Sequence, residues 1–122
     1  MSDKTTKIIF WVSTGLLALM FVGGAMGSFF DYENTLKEFT ALGFPSFIIY
    51  PLAILKVLGA IAILSRLSSV LQYLAYAGIF YDILLAFGAH LSISDGEAFG
   101  TLIPLALCIV SFFFARKMEK LA

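Results

Sequence analysis

The sequence predicts an all-α membrane protein: a four-transmembrane-helix bundle with a short interfacial helix between the first two spans and both termini cytoplasmic. Three observations carry this prediction. The first is composition. Of 122 residues, 61% are apolar and only 13% charged, against about 25% charged in an ordinary soluble domain, and mean hydropathy is +0.98. A chain of this size cannot bury that much apolar surface in water. The second is spacing, because four long apolar stretches are separated by short polar connections. The third is charge, which falls unevenly on the two sides of the predicted membrane. An abundance of Phe and Tyr excludes a disordered chain. Equal numbers of basic and acidic residues leave no electrostatic footprint for nucleic acid.

The elements follow in order. Ile8 to Phe30 carries no charge and extends about 34 Å as a helix, enough to cross a hydrocarbon core of about 30 Å. Lys4 and Lys7 before it, and Ala25-Met26-Gly27 near its end, share features with a signal peptide. A signal's apolar region runs only about 7–15 residues, so the greater length predicts a retained first span. Asp31 to Gly43 is polar, with Leu36, Phe39 and Leu42 on one stripe and Gly43 as the stop. That pattern predicts a short helix lying in the membrane interface.

Pro45 opens a second span that runs to Leu64, with Pro51 in its first turns. Arg66, Ser68 and Ser69 make a tight connection to a third span, Leu71 to Leu91. Ser92 to Gly96 forms the next turn, and Ala98 to Ala115 the fourth span, stopped by Arg116, Lys117 and Lys120. Without an internal repeat or low-complexity linker, residues 1–122 read as one domain. With the N-terminus inside, the inner segments hold Lys4, Lys7, Arg66, Arg116, Lys117 and Lys120. The outer segments hold Lys37 as their one basic residue, with Asp31, Glu33, Glu38, Asp95 and Glu97. This is the positive-inside asymmetry of a membrane protein.

The single Cys108 and the single His90 restrict the chemistry. One thiol makes no internal disulfide or dithiol relay, and one histidine makes neither bis-His haem ligation nor a His-rich metal cage. Cys108 reads as a small apolar residue of the fourth span. Phe112, Phe113, Phe114, Phe29, Phe30 and Trp11 lie at or near span ends, where bulky rings face lipid or the interface. Gly23 and Gly27 form a helix-contact pattern. Walker, GxGxxG and HExxH motifs are absent from the sequence. Ser13 and Thr14 have no base near them in sequence to make a nucleophile.

Two charges lie inside the spans. Lys56 is about ten residues into the second and Asp82 about eleven into the third, so antiparallel neighbours bring both near the bilayer midplane. Either charge alone costs about 2.5–3.5 kcal/mol at that depth, and the matching depths predict a direct ion pair. Gly59 and Ala60 after Lys56, and Gly78 and Ala86 about Asp82, predict close approach of the two helices. Tyr50, Tyr73, Tyr76 and Tyr81 are candidates to hydrogen-bond the pair. The pair serves either to fix helix register or to line a polar cavity that handles a proton or a quinone-like head group. His90, two turns beyond Asp82 and near Glu33, Glu38, Asp95 and Glu97, either passes protons at a pocket mouth or caps the helix end. One histidine without fixed ligand spacing makes a weak case for a metal site.

The run Phe39-Thr40-Ala41-Leu42-Gly43-Phe44-Pro45, then Tyr50-Pro51, Lys56 and Gly59, and later Ala89-His90 with Asp95-Gly96, resembles the DoxX-like family of small four-helix membrane proteins. The resemblance covers nearly the whole chain. It implies a respiratory-chain setting in a bacterial inner membrane. Family namesakes are linked to thiosulfate:quinone oxidoreductase, other relatives to membrane oxidoreductase complexes that protect against oxidative stress, and a distant eukaryotic relative to acetylcholine-receptor assembly. It makes Lys56 and His90 the family-like polar positions. Members often carry Gly-Asp after the histidine, whereas this chain has Asp95-Gly96, and no residue here marks a thiosulfate site.

Three functions are compatible with these residues. One is a subunit or accessory of a quinone-linked membrane oxidoreductase, holding a quinone or lipid-like ligand with electrons supplied by a partner subunit. Another is a small proton-coupled transporter, although the first span lacks the carboxylate that small multidrug transporters use. The last is a non-enzymatic membrane scaffold or assembly factor.

Overall fold

In the computed structural model, which describes residues 2–94 and 96–121, the first helix begins earlier than hydropathy alone predicts. Helix α1 spans Asp3–Phe30 because Ser2 caps it, its hydroxyl accepting from the Thr5 N–H at 3.1 Å. That cap adds a polar turn ahead of the apolar run. The helix ends at Asp31, whose N–H reaches the Gly27 carbonyl at 2.8 Å. Helix α2, Tyr32–Leu42, stops at Gly43 with φ 87°, a left-handed conformation that glycine adopts without steric penalty.

One 3-10 turn, Ser46–Ile48, leads into α3, Ile49–Ser65. Pro51 sits in its first turn, where backbone N–H groups have few intrahelical partners to lose. Arg66, at φ 54°, reverses the chain. Helix α4, Ser69–Ile93, starts under Ser68, whose hydroxyl accepts from the Leu71 N–H at 3.4 Å. A second 3-10 turn, Ala98–Thr101, precedes α5, Leu102–Leu121. The last helix runs past Ala115 because basic residues near a C-terminus stabilise it while their heads reach for water. α1, α3, α4 and α5, with α3 and α5 taken together with their leading 3-10 turns, are each long and apolar enough to cross a membrane.

Successive long helices are neighbours. α1 packs against α3 and α5, α3 against α4, and α4 against α5, which leaves α1 diagonal to α4. α2 lies across one end of the bundle and touches α1, α3 and α4. Its buried Thr35 donates to the Asp31 carbonyl at 3.2 Å, and the Tyr50 ring stacks on Phe29 and Tyr32 at 5.9 and 5.1 Å. At the opposite end Arg66 lays its guanidinium over Phe10 at 4.6 Å and donates to the Ala115 carbonyl at 3.4 Å. The α3–α4 connection therefore shares an end with the start of α1 and the last turns of α5.

The core draws Phe10, Leu17 and Phe21 from α1, Ile63 from α3, Tyr76, Ile79 and Ile83 from α4, and Cys108 and Ala115 from α5. These recur at intervals of three, four or seven, which places each set on one helical face. A chain of hydroxyls runs through this core. Thr14 Oγ1 and Tyr76 OH each lie 2.6 Å from Ser111 Oγ, and all three residues are buried. Since the α1 and α4 backbones stay apart, Ser111 bridges the diagonal. Ser111→Ala removes the hydroxyl that both others bond and should lower stability by about 1–2 kcal/mol. Adding Thr14→Val and Tyr76→Phe removes the other two hydroxyls and should restore most of the loss. Thermal unfolding midpoints in one detergent check both outcomes.

Candidate functional site

Between α3 and α4 the packing is close at one place and open beside it. A Cβ added at Gly59 would stand 3.7 Å from the Ile79 side chain, an ordinary van der Waals distance, and Ala60 is buried, so the two helices pack there without the glycine being required. Gly78 instead faces open space, with nothing within 4 Å of an added Cβ. The missing side chain helps to leave a lateral groove of about 340 Å³, within the usual range of small-molecule sites, about 300–1,000 Å³. Leu52, Leu55 and Leu58 of α3 and Leu71 and Leu74 of α4 line it, with Phe21 of α1 behind. Leu55, Leu58, Leu71 and Leu74 are all more than half exposed, and in a bundle of membrane spans that exposure is to lipid.

Lys56 and Asp82 line this groove from opposite helices, and both are half-buried. They do not close into the direct ion pair that their depths predict, because no contact of 4.0 Å or less joins ammonium and carboxylate. The ammonium leans toward α1. It lies 5.9 Å from the centre of the Phe21 ring and 3.8 Å from where a Cβ on Gly24 would stand. The lysine head thus lies beside Gly24, and the ring face attracts the cation. The two charges still interact electrostatically, but across a gap.

None of the four tyrosines considered for this pair hydrogen-bonds it. Tyr76 bonds Ser111, Tyr50 stacks on Phe29 and Tyr32, and Tyr73 and Tyr81 line the other flank of α4. His90 is half-buried in the last turn of α4, about 12 Å along the helix from Asp82, and does not line the groove. Glu33 and Glu38 are exposed on α2, Glu38 accepting from Asn34 Nδ2 at 3.4 Å, and they too lie off the groove. Asp95 lies outside the described residues. The groove thus brings together Lys56 and Asp82.

Several neighbours carry no sequence motif. Gly24 and Phe21 hold the lysine head, and Gly78 opens the groove rather than closing a helix contact. The signal available in sequence was that Gly24 and Lys56 lie at similar depths on spans joined in succession. Gly23 and Gly27, the helix-contact pattern of the first span, meet nothing within 4 Å of an added Cβ. Cys108 is buried as an apolar residue would be. Phe112 and Phe114 pack partly against the core, while Phe113 stays exposed. Among the described residues no group of three His, Cys, Asp or Glu is placed to hold a metal ion.

Four apolar spans, a helix across one end and a groove lined by Lys56 and Asp82 define a small integral membrane protein. The sequence model of the DoxX-like family matches residues 12–114, and the chain belongs to that family. No curated protein and no solved structure matches it. The matched segment contains every residue that lines the groove.

Asp82→Asn removes the countercharge of Lys56. The stability loss should be about 1–2 kcal/mol, below the about 2.5–3.5 kcal/mol of a lone central lysine, because Phe21 continues to hold the ammonium. The double variant Asp82→Asn with Lys56→Met should recover most of that loss in the same unfolding measurement.

Proposed function

We propose that this DoxX-like protein is a subunit or accessory of a quinone-linked oxidoreductase in a bacterial inner membrane, and that it holds a quinone or a similar lipid-like amphiphile in the α3–α4 groove. The observation that carries this reading is the groove itself: apolar walls reached from the bilayer, with one cation and one carboxylate that are not consumed by each other. Such a cleft suits a molecule with an apolar tail and a polar ring. Lys56 would donate a hydrogen bond to a ring carbonyl oxygen, a charge-assisted contact that strengthens away from water. Asp82 would accept or deliver a proton at the ring's oxygen, and the leucine walls would exclude water. Electrons would come from a partner subunit, because a two-electron carrier bound here needs a redox centre beside it.

The family setting supports the quinone, and the clustering of Arg66, Arg116 and the start of α1 at one end supports cytoplasmic termini. The test is the thermal stabilisation of purified protein by short-chain ubiquinone and menaquinone analogues. Wild-type protein should shift upward with at least one of them. Lys56→Met should weaken the apparent affinity by about ten- to a hundredfold, as loss of a charged hydrogen bond does. Gly78→Phe fills open space in the groove and should abolish the shift while the unliganded midpoint holds. No shift with any quinone type would overturn the reading.

A further inference from the structure

Helix α4 has a second groove on its other flank, toward α5, and the quinone reading makes no use of it. It measures about 420 Å³. Tyr73, Phe80, Tyr81, Phe112 and Phe113 supply its walls, and the small Ala77 gives it depth. Among the described residues no charged side chain lines it, and Tyr81 and Phe113 are more than half exposed, so it opens to lipid.

One end of this groove is electrostatically distinct. Arg116, exposed on α5, holds its guanidinium 5.9 Å from the centres of both the Tyr73 and Phe112 rings, two of the groove's walls. Lys120 follows one turn later on the same face of α5. The positive end of the α4 dipole, at Ser69, begins one turn before Tyr73. Glu119 shares a small adjoining cavity with Arg116 but forms no ion pair with it, so the guanidinium keeps its charge available.

An apolar channel in the bilayer that ends at an available guanidinium near the water is complementary to one kind of molecule, an acyl chain bearing a phosphate. We propose that the α4–α5 groove binds an anionic phospholipid from the leaflet on the side of the chain's two ends. Its acyl chain lies along Phe80, Tyr81 and Phe113, and its phosphodiester rests on Arg116 beside Tyr73. Arginine suits that role because its planar fork binds phosphate oxygens two at a time. The rigid aromatic walls order a chain with little loss of side-chain freedom.

The experiment is native mass spectrometry of delipidated protein in mild detergent, titrated with phosphatidylglycerol or phosphatidylcholine. Wild-type protein should retain phosphatidylglycerol about fivefold better, the effect expected of one basic residue on an anionic lipid. Arg116→Gln should erase the preference and leave phosphatidylcholine retention unchanged, while Arg116→Lys should keep part of it. Ala77→Trp, a substitution at an exposed position within the groove, should lower retention of both lipids and leave any quinone-dependent stabilisation at the α3–α4 groove intact. Equal retention of the two lipids by wild-type protein overturns the proposal. So does a preference that survives both Arg116→Gln and Ala77→Trp.

Discussion

Ser111 links the side chains of two helices whose backbones stay apart. Lipid tails are as apolar as leucine, so in a bilayer burial of hydrophobic surface does not decide which face of a span turns inward. Hydrogen bonds and close packing must decide it. One hydroxyl offers a donor and two acceptor lone pairs, and Ser111 spends them on Thr14 of α1 and Tyr76 of α4. That fixes the rotation of three spans at once. α3 is fixed differently, by its packing on α1 and α4.

Once Tyr76 is turned into the core, the rest of α4 follows from helical geometry. Gln72, Ile79 and Ile83 share its face and are buried with it. The flanks then fall on either side, toward α3 and α5, and each carries a small residue where a larger one would fill the gap. Ala77 and Gly78 are adjacent in sequence but about 100° apart around the helix, and they line the two different grooves. The same rotation that joins Tyr76 to Ser111 thus opens α4 to lipid on both sides.

Much of this was legible in the sequence, and the illegible part has a physical reason. Span number, the interfacial α2, the stop at Gly43 and the shared depth of Lys56 and Asp82 follow from hydropathy, turn chemistry and charge, each of which has a large energetic penalty for error. The Thr14–Ser111–Tyr76 chain left no such trace. A serine or threonine within a span can satisfy its hydroxyl on its own helix, as Ser13 does on the Ile9 carbonyl at 2.7 Å, so its presence does not announce a partner. The position of the Lys56 head was hidden for a related reason. Depth sets which residues are level with one another, but the direction in which a long side chain bends depends on its neighbours, here Phe21 and Gly24 of α1.

That bend bears on the meaning of the charges. A closed ion pair between Lys56 and Asp82 would satisfy itself and could be exchanged for well-packed apolar residues at little loss, which is how a register-setting pair behaves. Register in this bundle already has other sources: Ser111 ties α4 to α1 and α5, and α3 packs on both α1 and α4. The charges instead stand apart across a groove open to lipid, each with hydrogen-bonding capacity left over. Holding two half-satisfied ions at this depth costs stability, and an interior already locked by neutral contacts gains no definition from them. Under the proposed function, a polar guest that bridges the two walls would satisfy both charges.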